Sequence, residues 1–235
     1  MTRRLTVTWP DRRPFDERAG APIRLLAVSD DVDPALEYAV NRDALGHIDA
    51  VVGCGDLEPS YLGFLADAFG TELVFVRGNH DRGGRWVASS SFAPEPLRSG
   101  RLIDIDGIQV LPLEWPGQRR NPAVRDEGRA WRDVLRAELT LLGRRLAGRP
   151  TGPLLVISHA APRGVGDSPD PYHVGYAAYR WLLDRHHPPV WLHGHTALAA
   201  VLHWRATAGR STVANVTGSI VVEFVPPEAA KGTPA

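Results

Sequence analysis

Five times along the chain a short apolar run stops at a cluster of polar residues, and the intervening segments carry helical periodicity. Ile23–Val28 ends in Ser29-Asp30-Asp31, Ile48–Val52 in Gly53-Cys54-Gly55-Asp56, and Glu72–Val76 in Arg77-Gly78-Asn79-His80-Asp81. Leu154–Ile157 ends in Ser158-His159, and Val190–Leu192 in His193-Gly194-His195. Strands alternating with helices in this way predict a largely parallel sheet, covered on its faces. The carboxyl ends of such strands share one edge of the sheet, where ligands bind. Carboxylates, an amide oxygen and imidazoles collected there suit a divalent cation such as Mn²⁺, Zn²⁺ or Fe²⁺.

The remaining pattern predicts one domain over residues 1–235, with a 22-residue N-terminal extension and a frayed tail at 227–235. Leu5 to Thr8 reads as an edge strand followed by a polar loop. Pro34 opens a helix to about Leu45, with Asp33 as its N-cap. Pro59–Phe69 reads as a helix, and Asp106-Gly107 between two apolar runs as a hairpin turn. A helix from about Glu127 to Leu146 carries Trp131, Leu135, Leu139, Leu142 and Leu146 at helical spacing. Tyr172–His186 is expected to be helical, and Ala199–Thr207, Ser211–Val216 and Ser219–Val225 to be strands.

Composition narrows the function. The 27 basic and 27 acidic residues cancel, so the phosphate-driven surplus of a strong nucleic-acid binder is missing. Cys54 is the single cysteine, which excludes an internal disulfide and permits a reducing compartment. Neither a signal peptide nor a run of about 20 apolar residues is found. These features predict a soluble, cytoplasmic protein with no membrane partner.

Taken singly, each polar cluster has a bland explanation. An aspartate after a strand usually caps a turn, Gly55-Asp56 is a common turn pair, and a lone strand-end histidine such as His159 is usually just hydrogen-bonded. Five in register along one sheet edge are harder to attribute to turns alone. In order they resemble the motifs of the calcineurin-like metallophosphoesterases: Asp-x-His, Gly-Asp, Gly-Asn-His-Asp/Glu, a strand-end His, and Gly-His-x-His. The corresponding residues are Asp30-Asp31-Val32, Gly55-Asp56, Gly78-Asn79-His80-Asp81, His159, and Gly194-His195-Thr196-Ala197.

The resemblance implies an α/β fold, a four-layer α/β/β/α sandwich with two mixed sheets and the site at their strand ends. It implies metal ligands Asp30, Asp56, Asn79, His159 and His195, with Asp56 bridging, and His80 as the residue that contacts phosphate and protonates the leaving group. Mn²⁺ is the expected metal, with Zn²⁺ or Fe²⁺ as alternatives, in one or two copies. Val32 and Ala197 stand where the family keeps imidazoles, and both departures fall on the same metal. Asp31, Asp33 and His173 are candidate substitutes, although Asp33 is also explained as a cap and His173 as a helix-start residue. Arg77 and Arg82, with Arg85 and Arg163 nearby, are candidate phosphate contacts, or simply solvated arginines in a chain whose only lysine is Lys231. The expected function is metal-dependent hydrolysis of a phosphate ester, either a monoester or a diester, of a small molecule. A non-catalytic phosphate- or metal-binding module and, less favoured, a nuclease are the alternatives.

Overall fold

The computed structural model describes residues 2–81, 84–201 and 203–228. Eleven strands form two sheets in this region. The first sheet holds β1 (Arg3–Thr8), β2 (Ile23–Ser29), β3 (Ala50–Gly53), β4 (Glu72–Phe75) and β11 (Gly218–Val225), in the order β1-β11-β2-β3-β4. The second holds β5 (Ile103–Ile105), β6 (Ile108–Leu113), β7 (Leu154–Ser158), β8 (Val190–His193), β9 (Arg205–Ala208) and β10 (Ser211–Asn215), in the order β5-β6-β7-β8-β10-β9. Both sheets are mixed. The β2-β3-β4 and β6-β7-β8-β10 ladders are parallel, while β11 runs antiparallel to β2 and β9 antiparallel to β10.

Side chains alternate across each strand and divide the core in two directions. Leu25, Ala27 and Val52 of the first sheet meet Val110, Leu155 and Leu192 of the second in a central layer. Leu26, Val28 and Val51 face the opposite way, onto α3 (Pro59–Phe69) through Leu62 and Leu65. On the far side Leu111, Val156 and Trp191 pack against α5 (Glu127–Leu146) and α6 (Ala177–His186). The result is the expected α/β/β/α stack. Three shorter helices, α1 (Arg13–Asp16), α2 (Ala39–Asp43) and α4 (Gly84–Ala88), lie in the connections.

Several elements differ from expectation. The helix expected from Pro34 to Leu45 is a 3₁₀ turn, Pro34–Glu37, followed after an extended Tyr38 by α2. Side chains take the place of the missing helical ladder: Asn41 donates to the Ala35 carbonyl, and Arg42 to those of Leu36 and Glu37. α6 begins at Ala177 rather than Tyr172, because Asp170 captures the backbone amides of Tyr172 and His173 in a turn. Of the expected Ala199–Thr207 strand, the described residues join a sheet from Arg205 onward, in Arg205–Ala208; Leu198–Ala200 forms a 3₁₀ turn, and residue 202 lies outside the described residues. α5 has the expected length, and the four leucines of the apolar stripe read along it point outward, while Trp131 packs partly against the core. Ala130, Val134, Ala137 and Leu141 are buried instead, while Leu135, Leu139, Leu142 and Leu146 are exposed. Of the expected frayed tail at 227–235, the residues after Glu228 lie outside the described residues.

Candidate metal centre

The strand-end residues leave their strands through left-handed backbone turns. Asp30, Asp56 and His195 have φ of 60°, 59° and 66°. This conformation costs an ordinary residue about 1 kcal/mol or more, and such strain collects at functional sites. Each turn aims a ligand-type side chain along the shared edge. Two glycines let the loops close. A Cβ on Gly78 would fall on the Asp56 carboxylate, and one on Gly194 would strike Ser29 and Asp30.

Asp56, His159 and His195 form a group whose ligand atoms all lie within 4.8 Å of one another. Asn79 joins it, with its Oδ1 2.8 Å from His159 Nε2, and Asp56 Oδ2 lies 3.2 Å from the same nitrogen. Both rings are oriented by carbonyls: His159 Nδ1 bonds to the Cys54 oxygen at 2.8 Å, and His195 Nε2 to the Tyr172 oxygen at 2.8 Å. A donated N–H at those positions leaves His159 Nε2 and His195 Nδ1 with lone pairs. Fixing the tautomer through the second nitrogen is how proteins orient ligating histidines.

This geometry places a bare imidazole nitrogen against two oxygen acceptors, so the space between them demands positive charge. A proton on His159 supplies it in the metal-free chain. Burial disfavours the imidazolium, yet Asp56 and Asp30 raise His159 to about 9. Burial likewise opposes the charge on Asp56, but His159 and the His80 amide hold its carboxyl below the ordinary value. Burial, followed by the neighbouring His159, pushes His195 down to about 3 and keeps it neutral. One carboxylate oxygen, one amide oxygen and two imidazole nitrogens fit Mn²⁺, Zn²⁺ or Fe²⁺.

The surrounding residues fix these ligand positions. Asp81, which is buried, accepts the backbone amides of Asp56 and Gly78 at 2.8 and 2.7 Å, tying the β3 and β4 loops together. Burial raises its carboxyl to about 6, with Asp56 adding to the effect. The His80 amide donates to Asp56 Oδ1 at 2.8 Å, and its side chain is exposed. Trp115, which no sequence motif singled out, lies tilted 4.7 Å from the His195 ring and edge-on 5.8 Å from the His159 ring. Only a proline-rich stretch marked that region in the sequence.

The other candidates lie around this group in different states. Asp30 Oδ2 accepts the His195 amide at 2.9 Å and the Thr217 hydroxyl at 3.3 Å. Asp33 caps the Pro34 turn through the Ala35 amide at 3.0 Å, and its second oxygen accepts from Ser219. Both of its oxygens are thus engaged in structure. Asp31 is exposed, as are Val32 and Ala197. His173 has its ring 5.1 Å from that of His195 and its Nδ1 held by Asp170 at 2.8 Å. Arg77 stacks on Trp86 at 4.7 Å and lines a separate cleft with Arg98 and Arg129. Arg163 bonds to the Gly175 carbonyl. Arg82 and the Arg85 side chain lie outside the described residues.

The calcineurin-like phosphoesterase profile matches residues 34–198, over two thirds of the chain. The chain belongs to the calcineurin-like phosphoesterase family. The matched span includes Asp56, Asn79, His80, His159 and His195, and starts after Asp30. Members of this family bind divalent metals, and the Asp56–His159–His195 group is where this chain could hold one. No match is found among curated proteins. One solved crystal structure shares 15% identity over 86% of this chain and 95% of its own, with a TM-score of 0.57. The protein TT1561 of Thermus thermophilus shares 16% identity over 83% and 89% of the two chains, with a TM-score of 0.55. At these identities the likeness is one of fold.

Proposed function

We propose that this family member hydrolyses a phosphate ester, a monoester or a diester, of a small molecule with the help of a divalent cation. The convergence of Asn79 Oδ1 and Asp56 Oδ2 on Nε2 of His159, a place where a cation would take over from the proton, carries the reading. Asp56, Asn79, His159 and His195 would hold the cation, with Mn²⁺ preferred and Zn²⁺ or Fe²⁺ as alternatives. Asp30 is the additional ligand toward a second ion. A cation at this place supplies Lewis acidity, lowering the pKa of water and offsetting phosphate charge.

The chain's own residues supply the rest. Trp115 walls the site beside both histidine rings and keeps water from that side. Asp81 holds the Asp56 and Asn79 loops in register. His80, anchored through its amide on Asp56 and with its side chain exposed, would donate a proton to the leaving oxygen.

A second reading, a binding module without turnover, is supported by Val32, 48% exposed, and Ala197, also exposed, at positions where the family keeps imidazoles. Hydrolysis of an aryl phosphate monoester and diester, assayed beside elemental analysis before and after chelation, separates the two. Hydrolysis should need the metal and fall about a hundredfold or more in Asp56→Asn and His159→Ala, together with bound metal. Activity unchanged in both variants would overturn the proposal. One bound ion per chain with no turnover would establish the binding module. Cleavage of nucleic acid at physiological salt would instead favour the nuclease, against which the balanced charge stands.

A further inference from the structure

α5 carries two apolar stripes. Ala130, Val134, Ala137 and Leu141 pack into the core, while Leu135, Leu139, Leu142 and Leu146 are 53%, 70%, 50% and 80% exposed. Trp181 of α6, its ring tilted against Trp131 at 5.8 Å, extends the outer face. A helix that is apolar on both sides is normally covered on both. The four leucines are spaced by four, three and four residues, the a/d seam of a coiled coil rather than a broad surface stripe. Their exposed apolar area is about 500 Å², near the upper limit of what a monomer leaves bare.

We propose that this face packs against the same face of a second copy of the chain, with the two α5 helices antiparallel about a two-fold axis. With Leu135 and Leu142 at d and Leu139 and Leu146 at a, an antiparallel pair sets Leu139 against Leu142 and Leu135 against Leu146. The flanking g positions are Glu138 and Arg145, and the e positions are Arg136 and Gly143. In this register each Glu138 faces the Arg145 of the second copy, twice by symmetry. Arg136 faces Gly143, which has no side chain to oppose it. A parallel pairing would instead put Glu138 opposite Gly143 and form neither ion pair. The register is therefore self-complementary in charge, as an isologous contact requires. Two such faces with their flanks bury about 1,000–1,200 Å², the lower bound for a specific interface. Within its own chain one Glu138 carboxylate oxygen accepts Arg185 at 3.1 Å and the other is bonded to His186, so the pair with Arg145 would be a further bond to a carboxylate already held in place.

Sedimentation equilibrium of the full chain tests this. The wild type should be a dimer, and Leu139→Glu a folded monomer with an unchanged circular dichroism spectrum, its dissociation constant raised about a hundredfold or more. Arg145→Glu should weaken the dimer about tenfold by setting Glu138 against glutamate, and the double variant Glu138→Arg/Arg145→Glu should restore it. A wild-type monomer up to about 100 μM overturns the proposal. A dimer unaffected by Leu139→Glu assigns the contact to another face and overturns it as well. A dimer broken by Leu139→Glu but indifferent to both charge variants overturns the antiparallel register.

Discussion

The two sides of the candidate metal centre make different use of the same sheet edge. On one side Asp56, Asn79, His159 and His195 converge, with both imidazoles oriented by carbonyls from other loops. On the other, Val32 and Ala197 are exposed, and the neighbouring acids serve as backbone acceptors. Asp30 holds the His195 amide, and Asp33 caps the turn at Pro34. A carboxylate can thus sit at a strand end for structural reasons without an imidazole beside it. An exposed imidazole has no comparable second role, because nothing in the backbone depends on it. The backbone bonds of Asp30 account for it without a second ion, whereas the pinned rings of His159 and His195 support the proposed first one.

The sharpest way to break this contrast is to restore the missing groups. Val32→His/Ala197→His should raise bound metal from one ion per chain to two, and hydrolysis about tenfold to a hundredfold, by elemental analysis and initial rates. A stoichiometry unchanged by the double variant would show that the eroded side has lost its shape as well as its ligands. Removing a support on the intact side should act through stability. Asp81→Ala leaves two amides without their acceptor and should cost about 2–4 kcal/mol in urea denaturation, with weaker metal binding. On the eroded side the effect should be smaller and should not reach the metal. Asp33→Ala should cost about 1 kcal/mol from the lost cap, with metal content unchanged. Loss of metal in that variant would reassign Asp33 as a ligand.

How much of this was legible in the sequence follows the range of each interaction. A strand and the loop that ends it are local, so the positions of Asp30, Asp56, Asn79, His159 and His195 at one edge could be read from short windows. The hairpin at Asp106-Gly107 was legible for the same reason, and both residues have positive φ, 48° and 84°. The break after Pro34 was not, because it depends on Asn41 and Arg42 reaching back to satisfy carbonyls. Trp115 was invisible as a site residue, since its place beside the histidines is set by β6 lying next to β7.

α5 shows where pattern reading stops. Periodicity alone predicted a helix over Glu127 to Leu146, and the helix is there. It could not say which of two interleaved apolar stripes faces inward. Ala130 and Ala137 go in because small side chains let the helix approach the sheet closely, and the leucines are left outside. The sequence by itself thus determined the elements, their order and the residues at the shared edge, all of which depend on neighbours along the chain. Tertiary structure alone decided the ring orientations of His159 and His195, the structural use of Asp33 and Asp81, and the outward turn of the α5 leucines. Each of these depends on a partner brought close only by folding.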